Sequence, residues 1–207
     1  MNSKTLALWK KQDQHTGDRW RLFQSVQASF PVGQVLYPGS YVDIAPSFVF
    51  DNVTYVDMDK RAAQFFSDEE GVRCIIKEHN GSVKNKWKFI AGDYRSLKLK
   101  AQSYDLLVSL YAGFISEACV HLLKLNGLLL VNSSHGDAAL AALDSRFTLI
   151  AVVKSANGQY KVDDRKLDDF MIPKKPQDIT HDSLIKNGRG IAYTKSPFAY
   201  IFRKTSH

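Results

Sequence analysis

The sequence predicts an α/β chain built on a mostly parallel, Rossmann-like sheet, with helices on both faces and an antiparallel last strand. Between about residue 33 and about residue 155, short apolar runs rich in β-branched residues alternate with longer helical patterns, as in a parallel sheet flanked by helices. The run Leu106-Leu107-Val108 is continuously apolar, as a strand buried on both faces should be. Polar residues and glycines stand immediately after the strands, where an open parallel sheet binds its ligands.

The elements follow in order. A helix is expected from Asp18 to Ala28, with Trp20, Phe23, Gln24, Gln27 and Ala28 at three-and-four spacing before Pro31. Strands are expected over Gln34–Tyr37 and Val53–Val56, the first ending in the turn Pro38-Gly39-Ser40 and the second on Asp57. Lys60–Phe66 reads as a helix, and Ser67 with Glu70 as a capping box opening another toward His79, closed by Asn80-Gly81. Trp87–Ala91 and Tyr104–Leu110 are the third and fourth strands. Helix Ile115–Leu125 then ends on the C-cap Asn126-Gly127, and Leu128–Asn132 is the fifth strand. Ala138–Leu143 reads as a helix, Phe147–Val153 as a sixth strand, Ala156-Asn157-Gly158 as a hairpin turn, and Ala199–Arg203 as a last strand at an antiparallel edge.

The 207 residues, 44% hydrophobic and 24% charged, suffice for one good-sized core and exclude a disordered or collagen-like chain. Nothing repeats at a fixed period, so residues 1–207 are read as a single domain, with a helical N-terminal segment over 1–32 and an irregular insertion or lid over 163–190. No stretch reaches the roughly 18 to 20 apolar residues of a membrane helix. Met1–Lys11 holds only Leu6, Ala7, Leu8 and Trp9 between its lysines, too few for a signal peptide. Cys74 and Cys119 stand alone, each expected in the core, without a CxxC or clustered histidines that would suggest a metal. A cytoplasmic protein with no membrane contact is expected. The net charge of +7, with Lys84, Lys86 and Lys88 on one face of the third strand and Lys174-Lys175 further on, would suit a polyanion or merely solubility.

A ribose diol presents two adjacent donors, so a carboxylate at the end of the second strand, Asp57, suits it, and Asp93 one strand further suits the adenine amino group. Either could equally be a helix N-cap. Met58 could lie against the adenine ring. The G-x-G-x-x-G fingerprint, the Walker loop, the G-x-S-x-G elbow and H-E-x-x-H are all absent, which disfavours NAD, FAD and nucleoside triphosphate hydrolysis.

In order and spacing, Val35-Leu36-Tyr37-Pro38-Gly39-Ser40-Tyr41, Val53-Thr54-Tyr55-Val56-Asp57-Met58-Asp59, Phe89-Ile90-Ala91-Gly92-Asp93-Tyr94 and Tyr104-Asp105-Leu106-Leu107-Val108-Ser109 resemble the first four motifs of the class I S-adenosylmethionine-dependent methyltransferases. Leu123 to Val131 resembles the helix, glycine turn and fifth strand that follow them. The resemblance covers most of the chain. It implies S-adenosyl-L-methionine as cofactor, held by Asp57, Met58, Asp93 and Tyr94 at its adenosine half, by Tyr37, Gly39, Ser40 and Asp43 at its methionine half, and by Ser109 beside the acceptor.

The sequence departs from the family where Tyr37 replaces an acid and where Tyr41 and Asp43 replace glycines. Asp43 would then supply the missing carboxylate, or Tyr41 would fill the pocket. Methyl transfer would proceed by direct attack on the methyl group, with donor and acceptor held in line. Tyr111 is the candidate to orient a small-molecule or RNA acceptor, and His135 the best-placed base. The alternatives are a non-catalytic module of the same fold that binds nucleic acid or a protein through its basic surface, and another Rossmann-like enzyme using a different nucleotide.

Overall fold

A computed structural model describes residues 2–80 and 85–206. Its helices are α1 (Ser3–Gln12), α2 (Asp18–Ser29), α3 (Lys60–Ser67), α4 (Glu69–Asn80), α5 (Ile115–Cys119), α6 (Asp137–Leu143) and α7 (His181–Asn187). Its strands are β1 (Gln34–Pro38), β2 (Asn52–Asp57), β3 (Lys86–Ala91), β4 (Tyr104–Ser109), β5 (Leu123–Val131), β6 (Phe147–Ala156), β7 (Gln159–Asp163) and β8 (Ala199–Lys204). They form one sheet in the order β3-β2-β1-β4-β5-β8-β6-β7. From β3 to β5 every pairing is parallel, and β8 is antiparallel to both its neighbours.

Alternation along the strands builds a core on each face, because successive side chains of a strand point to opposite sides. Val35, Tyr37, Val53, Tyr55, Leu106, Val108, Leu128 and Leu130 face a core shared with α2, α3 and α4. Leu36, Val56, Leu107, Leu129 and Val131 face a second core shared with α5 and α6. α2 turns Leu22, Phe23 and Val26 inward, with Trp20 at the margin, and reaches Ser29.

Several local expectations are corrected. α5 stops at Cys119, a 3-10 turn fills Val120–Leu122, and β5 begins at Leu123, so Asn126-Gly127 lies within a strand and caps no helix. Tertiary pairing overrides the helical pattern: Leu123 pairs with Tyr104 before the register jumps to Leu128 opposite Leu106, and Asn126 takes φ 63° in the bulge between. Lys204 of β8 donates to the carbonyls of Val120 and Leu123 at 3.1 and 3.0 Å, fixing this turn.

Asp68, not Ser67, caps α4, accepting from the Gly71 N–H at 3.0 Å, while the Ser67 hydroxyl donates back to Gln64. Cys74 is exposed because α4 turns Val72, Ile75 and Ile76 to the core; Cys119 is buried. The last strand, β8, is internal, and the antiparallel edge is β7, which the hairpin at Asn157 and Gly158 (φ 52° and 69°) folds onto β6. Helix α1 and strand β7 add to the expected elements, and helix α7 lies within the stretch 163–190 expected to be irregular. The expected turn at Gly81 and the side chain of Lys84 lie outside the described residues. Among those described, no helix is long and apolar enough to cross a membrane.

Candidate active site

The chain runs outward from β1 to β2 and β3, then returns to lay β4 on the other side of β1. That reversal opens a crevice above the carboxyl ends of β1 and β4. The loops leaving β1 to β5 carry the candidate residues.

At the end of β1, Gly39 turns the chain with φ 65°, and a Cβ there would stand 2.2 Å from the Ala112 Cβ of the β4 loop, so only glycine lets the two loops meet. Ser40 is buried beside it. Tyr41 has φ 49°, and its N–H donates to Asp57 Oδ2 at 2.7 Å. Asp57 Oδ1 accepts from the Asp59 N–H at 2.8 Å. Asp57 thus joins the β1 and β2 loops, and each oxygen keeps accepting capacity beyond its one backbone donor. Asp59 caps α3 and grips Arg61, whose guanidinium lies 5.1 Å from the centre of the Tyr41 ring. Met58 is 69% exposed on the turn between them.

Asp43 and Tyr37 form a buried cluster below the turn. The Tyr37 hydroxyl donates to Asp43 Oδ2 at 3.1 Å, and the Ala45 N–H donates to Oδ1 at 3.2 Å. Burial pushes the Asp43 carboxyl above its ordinary range, opposed by Arg19, whose Nε lies 3.7 Å from Oδ2. Burial also pushes the Tyr37 hydroxyl well up. Asp43 therefore points its oxygens at partners within the chain.

At the end of β3, Asp93 caps the turn Tyr94–Ser96, and Arg95 grips both its oxygens at 3.0 Å and 2.5 Å. The hydrogen bonds from Arg95 hold this carboxyl below its usual range. Among the described residues nothing lies within 4 Å of a Cβ placed on neighbouring Gly92, so the space beside Asp93 is open. Tyr94 reaches across to the β4 loop, its hydroxyl 3.1 Å from where a Cβ on Gly113 would stand.

Ser109 ends β4, buried, and donates to Asp137 Oδ2 at 2.5 Å. Asp137 also accepts from the Ser116 hydroxyl and N–H, at 2.5 and 3.1 Å to Oδ1. Burial pushes its carboxyl upward against these donors. Tyr111 is 54% exposed with φ 62°, and its N–H donates to Asn132 Oδ1 at 3.3 Å. The Ser134 hydroxyl donates to the same oxygen at 2.7 Å, and His135 Nδ1 lies 3.2 Å from that hydroxyl. A path of contacts thus runs from Tyr111 through Asn132 and Ser134 to exposed His135. The end of the 163–190 segment packs here, since a Cβ on Gly190 would overlap the Ser133 carbonyl oxygen.

Arg19, Asn132, Ser116 and Asp137 are additions to the residues expected from sequence. The Arg19 guanidinium stands 5.1 Å from the centre of the Tyr111 ring and 5.6 Å from that of Phe198, and its buried Nη1 has no hydrogen-bond partner among the described residues. Tyr41, Tyr111 and His135 all hold the left-handed conformation. At a residue other than glycine that conformation costs about 1–3 kcal/mol and concentrates at functional sites.

No protein-family model and no curated protein matches the sequence. Solved structures do match it. A chain from the Haloferax volcanii complex between the Trm112 methyltransferase activator and a methyltransferase is 15% identical, with TM-score 0.53 over 100% of this chain and 99% of that one. The N-methyltransferase NodS of Bradyrhizobium japonicum WM9, solved with S-adenosyl-L-homocysteine, is 13% identical, with TM-score 0.50 over 91% and 86%. The fold is that of the class I methyltransferases. A chain described as an O-methyltransferase from Klebsiella pneumoniae is 10% identical, with TM-score 0.50 over 78% of this chain and 88% of that one.

Proposed function

We propose that this protein is an S-adenosylmethionine-dependent methyltransferase acting on a small molecule or an RNA. The observation that carries the reading is Asp57, a carboxylate with spare accepting capacity at the end of β2, beside the switch point and locked by backbone N–H groups of two loops. The residues present fit the adenosine half of the cofactor. Asp57 would accept from the ribose hydroxyls, Met58 would cover the adenine, and Asp93, held in place by Arg95 beside the open space at Gly92, would take its amino group with Tyr94 alongside.

The methionine half falls to Gly39, Ser40 and the charged cluster of Tyr37, Asp43 and Arg19. The unpaired Nη1 of Arg19 offers a donor to a carboxylate once Tyr111 moves aside. When bound, the cofactor supplies an electrophilic methyl group. The chain's own residues then orient and exclude water: Ser109 fixes the end of β4 through Asp137, Tyr111 positions the acceptor, and His135 takes its proton where one must leave.

A second reading is favoured by the contact of Gly39 with Ala112 and by Arg19 beneath Tyr111, which together close the crevice over β1. Under it the fold is a module without turnover that binds nucleic acid or a protein. The Trm112-bound relative in fold supports a protein partner under either reading.

Calorimetric titration with S-adenosylmethionine and S-adenosylhomocysteine decides between them. Micromolar binding is expected, and Asp57→Ala should weaken it by about ten-fold or more, from the roughly 1.5–3 kcal/mol of a charge-assisted hydrogen bond. No binding by the unaltered chain would favour the module, and unchanged affinity in Asp57→Ala would remove that residue from the ribose site.

A further inference from the structure

We infer that the chain carries a separate binding site for a small organic anion with an apolar body, in a cavity of about 790 Å³ at the upper edge of β8 and β6. The volume suits a small molecule. Its walls come from the end of β6, the 163–170 stretch and the residues leading into β8, all at the carboxyl end of the parallel strands.

Two aromatic rings give it apolar surface. Phe170 belongs to the core of one sheet face, while Phe198 packs against the core of the other, so the cavity straddles the sheet edge. Lys154, Arg165, Lys166 and Lys195 give it charge. Within the cavity Asp163 binds both Lys154 and Arg165, at 2.7 and 2.9 Å, and Asp169 binds Lys195 at 2.5 Å. Of these four cations Lys166 alone forms no ion pair among the described residues, and it is the charge left for a ligand. Lys154 also lies 5.3 Å from the centre of the Phe170 ring. Charge beside an aromatic wall matches a ligand that is apolar at one end and anionic at the other.

Phe198 connects this cavity with the crevice. The Arg19 guanidinium lies against both rings, 5.6 Å from the centre of Phe198 and 5.1 Å from that of Tyr111. A ligand lying along Phe198 therefore extends toward the site assigned to the acceptor. Any part the ligand plays beside the acceptor site rests on the proposed function; its binding does not.

The test uses naphthalene-2-carboxylate as probe and naphthalene-2-carboxamide as its uncharged counterpart, titrated into the full chain at low ionic strength and followed by amide chemical shifts. The carboxylate should bind at least about ten-fold more tightly, the equivalent of one charge-assisted hydrogen bond. Shifts should centre on Phe170 and Phe198, and the Arg165→Gln, Lys166→Gln double variant should abolish the preference. Equal affinities, shifts centred elsewhere, or displacement of the probe by a short single-stranded RNA would overturn the proposal.

Parallel titration with S-adenosylhomocysteine keeps the two readings apart. Probe binding without cofactor binding would sustain the cavity site and sink the methyltransferase reading, and cofactor binding without probe binding would do the reverse. The double variant should bind S-adenosylhomocysteine as the unaltered chain does.

Discussion

At the scale of single residues, the strand-end positions were legible in the sequence. Asp57 and Asp93 follow short β-rich runs, and a parallel sheet sends such residues to its ligand edge. The N-cap role expected as an alternative for Asp93 is present in the structure, which adds Arg95, two residues on, as its partner. Arg19 was not legible, because its meaning comes from Asp43, Tyr111 and Phe198, which only the fold brings to it. Arg19→Met should destabilise the protein by about 1–3 kcal/mol in urea titrations at pH 7.5, since it leaves the buried Asp43 carboxylate without its counter-ion. Burial already raises the Asp43 carboxyl, so the folded state binds a proton more readily than the unfolded chain and loses stability as pH rises through the raised value. The cost of Arg19→Met should therefore be smaller at pH 5 than at pH 7.5, and Asp43→Asn in the same chain should recover most of it.

At the scale of elements, strands with continuous or alternating apolar residues were read correctly, and failures came where long-range pairing overruled local pattern. The stretch from Val120 to Leu125 is as good a helix as a strand until β4 and Lys204 claim it. Strand β7 escaped notice because Gln159, Lys161 and Asp163 alternate with Tyr160 and Val162 over a length too short to stand out beside a polar stretch. Asp137 holds the start of α6 to β4 and α5 through Ser109 and Ser116. Asp137→Ala should cost about 2–4 kcal/mol, and Asp137→Asn less, in denaturant unfolding. Helix α7 is tied to α5 by His181 Nε2 and Glu117, 2.8 Å apart, and the hydrogen bond that the ring donates to Glu117 raises the His181 ring above its ordinary value of 6.5. This tether is complete below that ordinary value and is lost as pH climbs through the raised one. Amide protection factors over residues 181–187, corrected for the intrinsic pH dependence of exchange, should accordingly be higher at pH 6 than at pH 8.5, and Glu117→Gln should flatten the difference.

At the scale of the whole molecule, the fold was legible because order and spacing of strand-end signals repeat from β1 to β5, and a reversed last strand completes them. The placement of β8 between β5 and β6 was not, since its pattern, Ala199 to Lys204, specifies a buried strand but no neighbour. Under the proposed function, the adenosine half of the site is the part the sequence suggests most clearly, because short polar residues at strand ends would carry its chemistry. Function was obscure at the methionine half, where Tyr37, Tyr41 and Asp43 stand in place of an acid and glycines and the structure shows a buried ionic cluster. The measurement that tests the central claim most directly is a crystal structure of the protein grown with S-adenosylhomocysteine. Density for the adenosine over the ends of β2 and β3, with the ribose hydroxyls on Asp57 and the adenine between Met58 and Asp93, is the expected result. Crystals that remain empty at millimolar ligand, with the Arg19 guanidinium still against the Tyr111 ring, would contradict it.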